Sequence, residues 1–220
     1  MTPLLVFSML PGTLRGPNIW LRHVRSPHPL PLKQALVAIS RATAGGATAS
    51  TESAAEAAEL ISLLERTADI PSWETRGPLM DGAWDQIYTD NPQGGTVWSD
   101  GTSARRRLIG PVSGRVLQMI SFNAPDTFAY AQRARSRLAL GLQAEMRASV
   151  AAQLDGVTWA VTFEEFTWSL LGGRLPLRRR KLPPGSGGEW RTTFVDSDTR
   201  VLRSQSNRGG APTTYVLMKR

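Results

Sequence analysis

The stretch LALGLQAEMRASV, residues 138–150, decides the fold. Its alanines, leucines and arginines are good helix formers. Its periodicity is not helical, because Leu138, Leu140, Leu142, Ala144, Met146, Ala148 and Val150 occupy every second position. Period two gathers them on one face of a strand, with Arg, Gln, Glu and Ser on the other, whereas a helix would scatter them around its circumference. We therefore expect a long strand here, against the helix propensity of its composition. Asp155-Gly156 supplies a turn, and Val157, Trp159, Val161 and Phe163 then alternate with Thr158, Ala160 and Thr162. Two long strands joined at Asp-Gly form a hairpin. Phe166–Leu171 is either a third strand or the continuation of the second past a bulge at Glu164-Glu165.

Similar texture extends in both directions. Trp84–Thr89 follows Asp81-Gly82, Thr96–Ser99 precedes Asp100-Gly101, and Arg107–Ile109 and Val116–Phe122 flank Gly110-Pro111 and Ser113-Gly114. Short β-like runs with turn signals at this density describe an antiparallel meander. Upstream, two helices are expected. Leu32, Ala35, Leu36 and Ile39 carry helical spacing up to Gly45-Gly46. In the second, Ser53 and Glu56 have capping-box spacing, and Ala57, Leu60, Ile61 and Leu64 form the apolar stripe, with Pro71 closing it. The count is eight to ten strands. One-sided alternation over long strands needs a second sheet or closure, and at about 140 residues a barrel is the economical solution. The expected fold is mainly β, a lipocalin-like antiparallel β-barrel with two N-terminal helices packed on it.

Composition narrows the chemistry. The chain has 220 residues, 41% of them hydrophobic, enough for one full-sized core. No apolar stretch approaches the roughly 18 residues that span a bilayer as a helix. Cysteine is absent and histidine occurs only at His23 and His28. Disulfides, thiolate nucleophiles and Cys-ligated metals are excluded. The first acidic residue is Glu52, while Arg15, Arg22, Arg25, Lys33 and Arg41 precede it. An acid-poor, Arg-rich start is the composition of an organelle transit peptide, and a merely disordered N-terminus is the plainer reading. Pro27, Pro29 and Pro31 would end such a leader, giving residues 1–30 as transit peptide, 31–72 as a helical segment and 73–220 as the barrel. Removal of 1–30 would take both histidines, and with them any His-based triad or ordinary zinc site.

The net charge of +8 favours anionic partners or reflects an arginine-rich proteome. Two basic runs stand out, Arg105-Arg106-Arg107 and Arg178-Arg179-Arg180-Lys181. The second lies beside Pro183-Pro184-Gly185-Ser186-Gly187-Gly188, which reads as a flexible loop. It could dock on an anionic lipid surface or be simply solvated. No nucleic-acid motif accompanies either run, so nucleic acid is not expected as a partner.

The end of the chain, TTFVDSDTRVLRSQSNRGG at 192–210, carries two tightly punctuated strands before Thr214–Met218. Phe194-Val195-Asp196-Ser197-Asp198-Thr199-Arg200-Val201-Leu202-Arg203, then Asn207-Arg208-Gly209 and Tyr215-Val216-Leu217, resemble the closing motif of the plastid-lipid-associated protein (fibrillin) domain. LMDGAWDQIYT, Leu79–Thr89, is similar to that domain's opening, and the helix pair sits where the family has one. Thr199 and Ser204 depart from the family pattern, Gly210–Thr213 lengthens the last turn, and Glu189 precedes Trp190. The resemblance covers about residues 32–220, with the middle alike in texture only. It implies a plastid protein at thylakoids or plastoglobules that binds or scaffolds prenyl-lipid or other apolar molecules, without general catalysis and without a cofactor.

On this reading the last hairpin closes the barrel against the first strand. Asp196 and Asp198 can satisfy N–H groups of their turn, and Arg200 and Arg203 can pair with them across it. That cluster is either a structural latch or a polar clamp for a ligand head group at the barrel mouth. Trp84, Tyr88, Trp159, Phe163 and Trp168 are the candidate apolar lining. They either enclose a pocket of roughly 300–1,000 Å³ or fill a solid core. Arg178, Arg179, Arg180 and Lys181 are the candidate membrane-surface residues. Glu164 and Glu165 are strand neighbours that point to opposite faces, and Asp196 and Asp198 are explained by turn capping. Neither pair argues for acid–base catalysis. The expected partners are an apolar lipid-like small molecule and an anionic plastid membrane or plastoglobule surface.

Overall fold

The computed structural model describes residues 28–68, 73–91, 116–124, 127–135, 142–152 and 157–220. Alternation governs the sheet. Along Gln143–Ala152, the residues Ala144, Met146, Ala148 and Val150 are buried, while Arg147 and Ser149 are exposed. The strand predicted from period two therefore stands, over the part of it that is described. Leu138 and Leu140 lie outside the described residues, as do the leader at 1–27, the runs at Thr96–Ser99 and Arg107–Ile109, Trp98, Arg105–Arg107 and the Asp155-Gly156 turn.

Nine strands follow one another: β1 Gly82–Thr89, β2 Val116–Ala124, β3 Thr127–Arg135, β4 Gln143–Ala152, β5 Thr158–Leu170, β6 Leu175–Lys181, β7 Gly187–Val195, β8 Thr199–Ser206 and β9 Thr213–Lys219. Each pairs antiparallel with its neighbours in the order β4-β3-β2-β1-β9-β8-β7-β5-β6, and β4 also pairs with β5. That last pairing closes eight strands into a barrel and leaves β6 outside it. β1 pairs with β9, Trp84 opposite Lys219 and Thr89 opposite Tyr215, so the last hairpin closes on the first strand as expected. Thr127–Arg135 was not foreseen as a strand. Its Ala, Gln and Arg content hides a period-two face on which Tyr130 and Gln132 lie opposite Ala148 and Met146 of β4.

β5 has 13 residues and serves three neighbours. Its first half pairs with β7, its second half with β6, and β4 runs along both. The register with β4 slips between Arg147 and Ala148, which face Glu165 and Phe163, so Glu164 is the bulged residue and Phe166–Leu170 continues the same strand. Two contacts carry the ladder from β6 to β7: Leu182 N–H donates to Glu164 O (2.9 Å) and Phe163 N–H to Ser186 O (2.8 Å). Gly187 and Gly188 permit the squeeze between β5 and β8. A Cβ would lie 1.9 Å from Val161 O at the first and 2.1 Å from Gln205 O at the second. The basic run beside the expected loop is therefore strand β6, and of that loop only 182–186 form the connection, since Gly187 and Gly188 begin β7.

Three helices are present among the described residues, not two: α1 Pro29–Ala42, α2 Thr51–Arg66 and α3 Trp73–Met80. α1 starts within the prolines assigned to the end of the leader, because proline in a first helical turn sacrifices no intrahelical bond. His28, placed in the removed stretch by the sequence reading, is its N-cap, accepting at Nδ1 from Leu30 N–H (3.3 Å). α2 is capped by Ser50, not Ser53. Ser53 is the third helical residue, and its N–H donates to Ser50 Oγ (3.2 Å). α1 and α2 cover one outer side of the barrel, where Leu32, Leu36, Leu60, Ile61 and Leu64 pack on Tyr88, Phe194, Val201 and Val216. Ser40 Oγ donates to Ile87 O (2.5 Å), pinning α1 to β1.

The short α3, containing Pro78, was missed because Pro78 reads as a breaker. It touches β2 and β7 and sends Met80 into the barrel. It thus covers the end where β1 begins and where the turn between β7 and β8 lies.

Candidate functional site in the barrel interior

Inward alternation from every wall strand meets in one cluster. Met80, Trp84, Ile120, Tyr130, Ala148, Val150, Trp159, Val161, Trp190, Val195, Leu202, Tyr215 and Leu217 are buried together, with Phe163 packed against them. Trp84 and Trp159 are almost wholly enclosed. Trp84 Nε1 donates to Met80 O (2.8 Å), tying β1 to the end of α3. Trp190 is the hub of the aromatic wall, with Tyr130 edge-on at 4.8 Å and Phe163 at 6.1 Å. Of the predicted lining residues, Trp84, Trp159 and Phe163 therefore share the interior. Trp168, half-buried, sits further along β5 in an edge contact with Phe166 at 5.2 Å.

Tyr88 does not belong to this wall. The register between β1 and β9 slips at Ile87, which turns Tyr88 outward to pack under the helices. A cleft of about 90 Å³ lies there, between α2 and the wall, lined by Ala58, Ile61, Tyr88, Asp90, Arg203 and Thr214.

The predicted polar cluster divides into three. Asp196 Oδ1 accepts from the N–H groups of Asp198 (3.1 Å) and Thr199 (2.9 Å), as turn capping requires. The cation facing both aspartates is Lys33 of α1, at 2.5 Å from Asp196 and 2.6 Å from Asp198. The hydrogen bond from Lys33 holds the Asp198 carboxyl below its usual range, against burial. Arg203 faces outward and grips Glu65 of α2. Neither arginine pairs with the aspartates, which corrects the expected cross-turn pairing. Strand alternation is the reason: Arg203 shares the outer face with Val201, and Arg200 shares the inner face with Leu202.

Arg200 thus lies inside the barrel, completely buried. Its Nε donates to Thr192 Oγ1 (3.2 Å), and its guanidinium lies over the Trp159 ring at 5.0 Å. Nη1 and Nη2 have no hydrogen-bond partner among the described residues. Burial pulls its pKa down to about 10, with Tyr130 opposing the shift and the buried Arg76 of α3 adding to it. Arg200 remains a cation at neutral pH. The interior has further polar groups on the walls, for Gln86 and Gln118 each bury a side-chain oxygen without a donor among the described residues.

The hairpin β5–β6 carries the second candidate surface. Residues 171–181 are all exposed, and they include Leu171, Leu175 and Leu177, each at least half accessible. Leu171 adopts a left-handed backbone (φ 54°) at the tip. Arg178 and Arg180 lie opposite Trp168 and Phe166 on β5, while Arg179 alternates to the other face and pairs with Glu165. Arg178, Arg180 and Lys181, three of the four predicted surface cations, stand exposed beside the leucines, while Arg179 is the one that pairs with Glu165 among the described residues.

Among the described residues no His, Asp and Glu side chains group so as to hold a metal ion, and no helix is long and apolar enough to cross a membrane. No protein-family model matches this chain, and no curated protein matches it. Fold and site define a class by themselves: a closed eight-stranded antiparallel barrel with an aromatic interior, a buried guanidinium and one external basic strand.

Proposed function

We propose that the chain is a non-catalytic plastid lipid-associated protein of the fibrillin kind. Its barrel holds or shields an apolar lipid-like molecule, such as a prenyl-lipid, quinone or fatty acid, at a thylakoid or plastoglobule surface. The observation that supports this best is the aromatic inner wall of Trp84, Trp159, Phe163 and Trp190 within a closed barrel. Strand β6 supports the surface part of the reading. Exposed leucines next to unscreened cations suit the boundary of an anionic bilayer, where each basic residue contributes roughly 1 kcal/mol. The carboxylates argue against catalysis: Asp196 and Asp198 are committed to Lys33 and their own turn, and Glu165 to Arg179.

A second reading, a filled barrel that acts as a scaffold without a small-molecule ligand, is favoured by the density of side chains meeting in the interior. Lipid extraction and mass spectrometry of the protein purified gently from its own cells separates the two. One stoichiometric prenyl-lipid, quinone or fatty acid supports the carrier. A clean protein, or a random sample of bulk lipid, supports the scaffold.

A further inference from the structure

We propose that Arg200 is an anchor for a carboxylate, so that the molecule held by the barrel is a long-chain fatty acid or similar amphipathic carboxylate lying head-inward. This rests on the lipid-binding reading above and names its ligand class. Arg200 is completely buried, and its Nε is engaged by Thr192 while both Nη groups are left without an acceptor among the described residues. Those two nitrogens form the end of the guanidinium fork that takes both oxygens of a carboxylate in parallel hydrogen bonds. A buried cation without a counter-ion is costly, and no carboxylate among the described residues pairs with Arg200. An incoming carboxylate would offset that charge.

The inner wall continues from Arg200 as an apolar surface. Arg200 is near the start of β8, at the end of the barrel that α3 covers, and lies over Trp159 near the start of β5. From Trp159 the inner face of β5 runs through Val161 and Phe163 to Phe166 and Trp168. This apolar track extends roughly 30 Å along the strand, away from the cation and towards the exposed hairpin. A polar head at Arg200 with a tail along β5 would meet the buried guanidinium and the apolar wall together. The exposed turn cluster at Asp196 and Asp198 has no such demand, because its charges are already paired.

The test compares delipidated full-length protein binding palmitate and hexadecanol, which share a chain and differ in the head group, by tryptophan fluorescence. Palmitate is expected to bind at least tenfold more tightly. In Arg200→Met palmitate should weaken by about tenfold to a hundredfold, to the level of the alcohol, as loss of a charge-assisted pair predicts. Hexadecanol should be unaffected. Arg200→Lys, which keeps the charge but not the fork, should fall between. Equal binding of the two probes to the unaltered protein overturns the anchor while leaving the lipid-binding reading in place. So does an Arg200→Met protein that retains palmitate. Binding of neither probe overturns both. Should Arg200→Met fail to fold, the two-probe comparison on the unaltered protein and Arg200→Lys still decide.

Discussion

Arg203 of β8 grips Glu65 of α2 with two parallel hydrogen bonds, Nε to Oε1 and Nη2 to Oε2, both 2.8 Å. Thr193 Oγ1 also donates to Glu65 (2.6 Å). One carboxylate thus ties a helix to two strands. Burial opposes ionisation of Glu65, but the bonds from Arg203 and Thr193 outweigh it and hold its pKa below the ordinary 4.5. Glu65→Gln should cost about 1 kcal/mol, since the pair is bidentate but only partly shielded. Urea unfolding measures this, and ligand retention should not change.

Acid should release the helices before it opens the barrel. Glu65 and Asp198 both have pKa values lowered by folding. The stability they contribute is complete above their unfolded values, near 4.5 and 3.8, and is lost as pH falls through the lower folded values. Lys33 acts oppositely. Burial disfavours its charge, yet the two aspartates raise its pKa, so its contribution holds below 10.5 and fades at higher pH. Hydrogen exchange at pH 3 should show α1 and α2 deprotected while β4 and β5 remain protected.

The unpaired charge in the interior should make the ligand-free protein less stable than it needs to be. Replacing Arg200 with Met removes a buried cation and keeps an apolar stem over Trp159. We expect the melting temperature of ligand-free Arg200→Met to rise, by the equivalent of about 1 kcal/mol or more. A fall of similar size would mean that the contacts to Thr192 and Trp159 outweigh the burial cost.

Gly187→Ala should be severe. The added Cβ would meet the backbone oxygen of Val161 at 1.9 Å, in a ladder held on both sides. A loss of about 3 kcal/mol is expected. Gly209→Ala meets no neighbouring atom and serves as the comparison for a positive-φ glycine without the close approach.

Changing Arg178, Arg180 and Lys181 together to Ala should reduce sedimentation with anionic vesicles, by about fivefold per cation at low salt. Arg179→Ala should matter less for vesicles, because that side chain is spent on Glu165. Neutral vesicles are the control, and unchanged binding to anionic ones would remove β6 from the membrane role.

Period two made the sheet legible. Ala144 through Val150 and Trp159 through Phe163 could be read from spacing alone, whereas closure by the last hairpin came with the family resemblance and the bulge beside Glu165 was one of two alternatives. β3 and β6 were harder, since Ala, Gln and Arg in the first and Pro176 with four cations in the second mask their strand character. The site was read less well, for a specific reason. Asp196, Asp198, Arg200 and Arg203 are neighbours in sequence, and opposite charges suggested one cluster. In space alternation sends Arg200 inward and Arg203 outward, and the partners Lys33 and Glu65 come from helices more than a hundred residues away. Arg200 sharing a face with Leu202 was the signal that pointed inside. No local pattern could have supplied Lys33 or Glu65.

The seam of the barrel lies between its first strand and its last. During synthesis α1, α2 and β1 leave the ribosome early, yet Val201, Val216 and Phe194, which cover the helices' apolar faces, emerge at the end. Until β9 appears, β1 has an open edge and the helix pair has little to bury against. The last strand to be made therefore completes both the barrel and the cover over the helices.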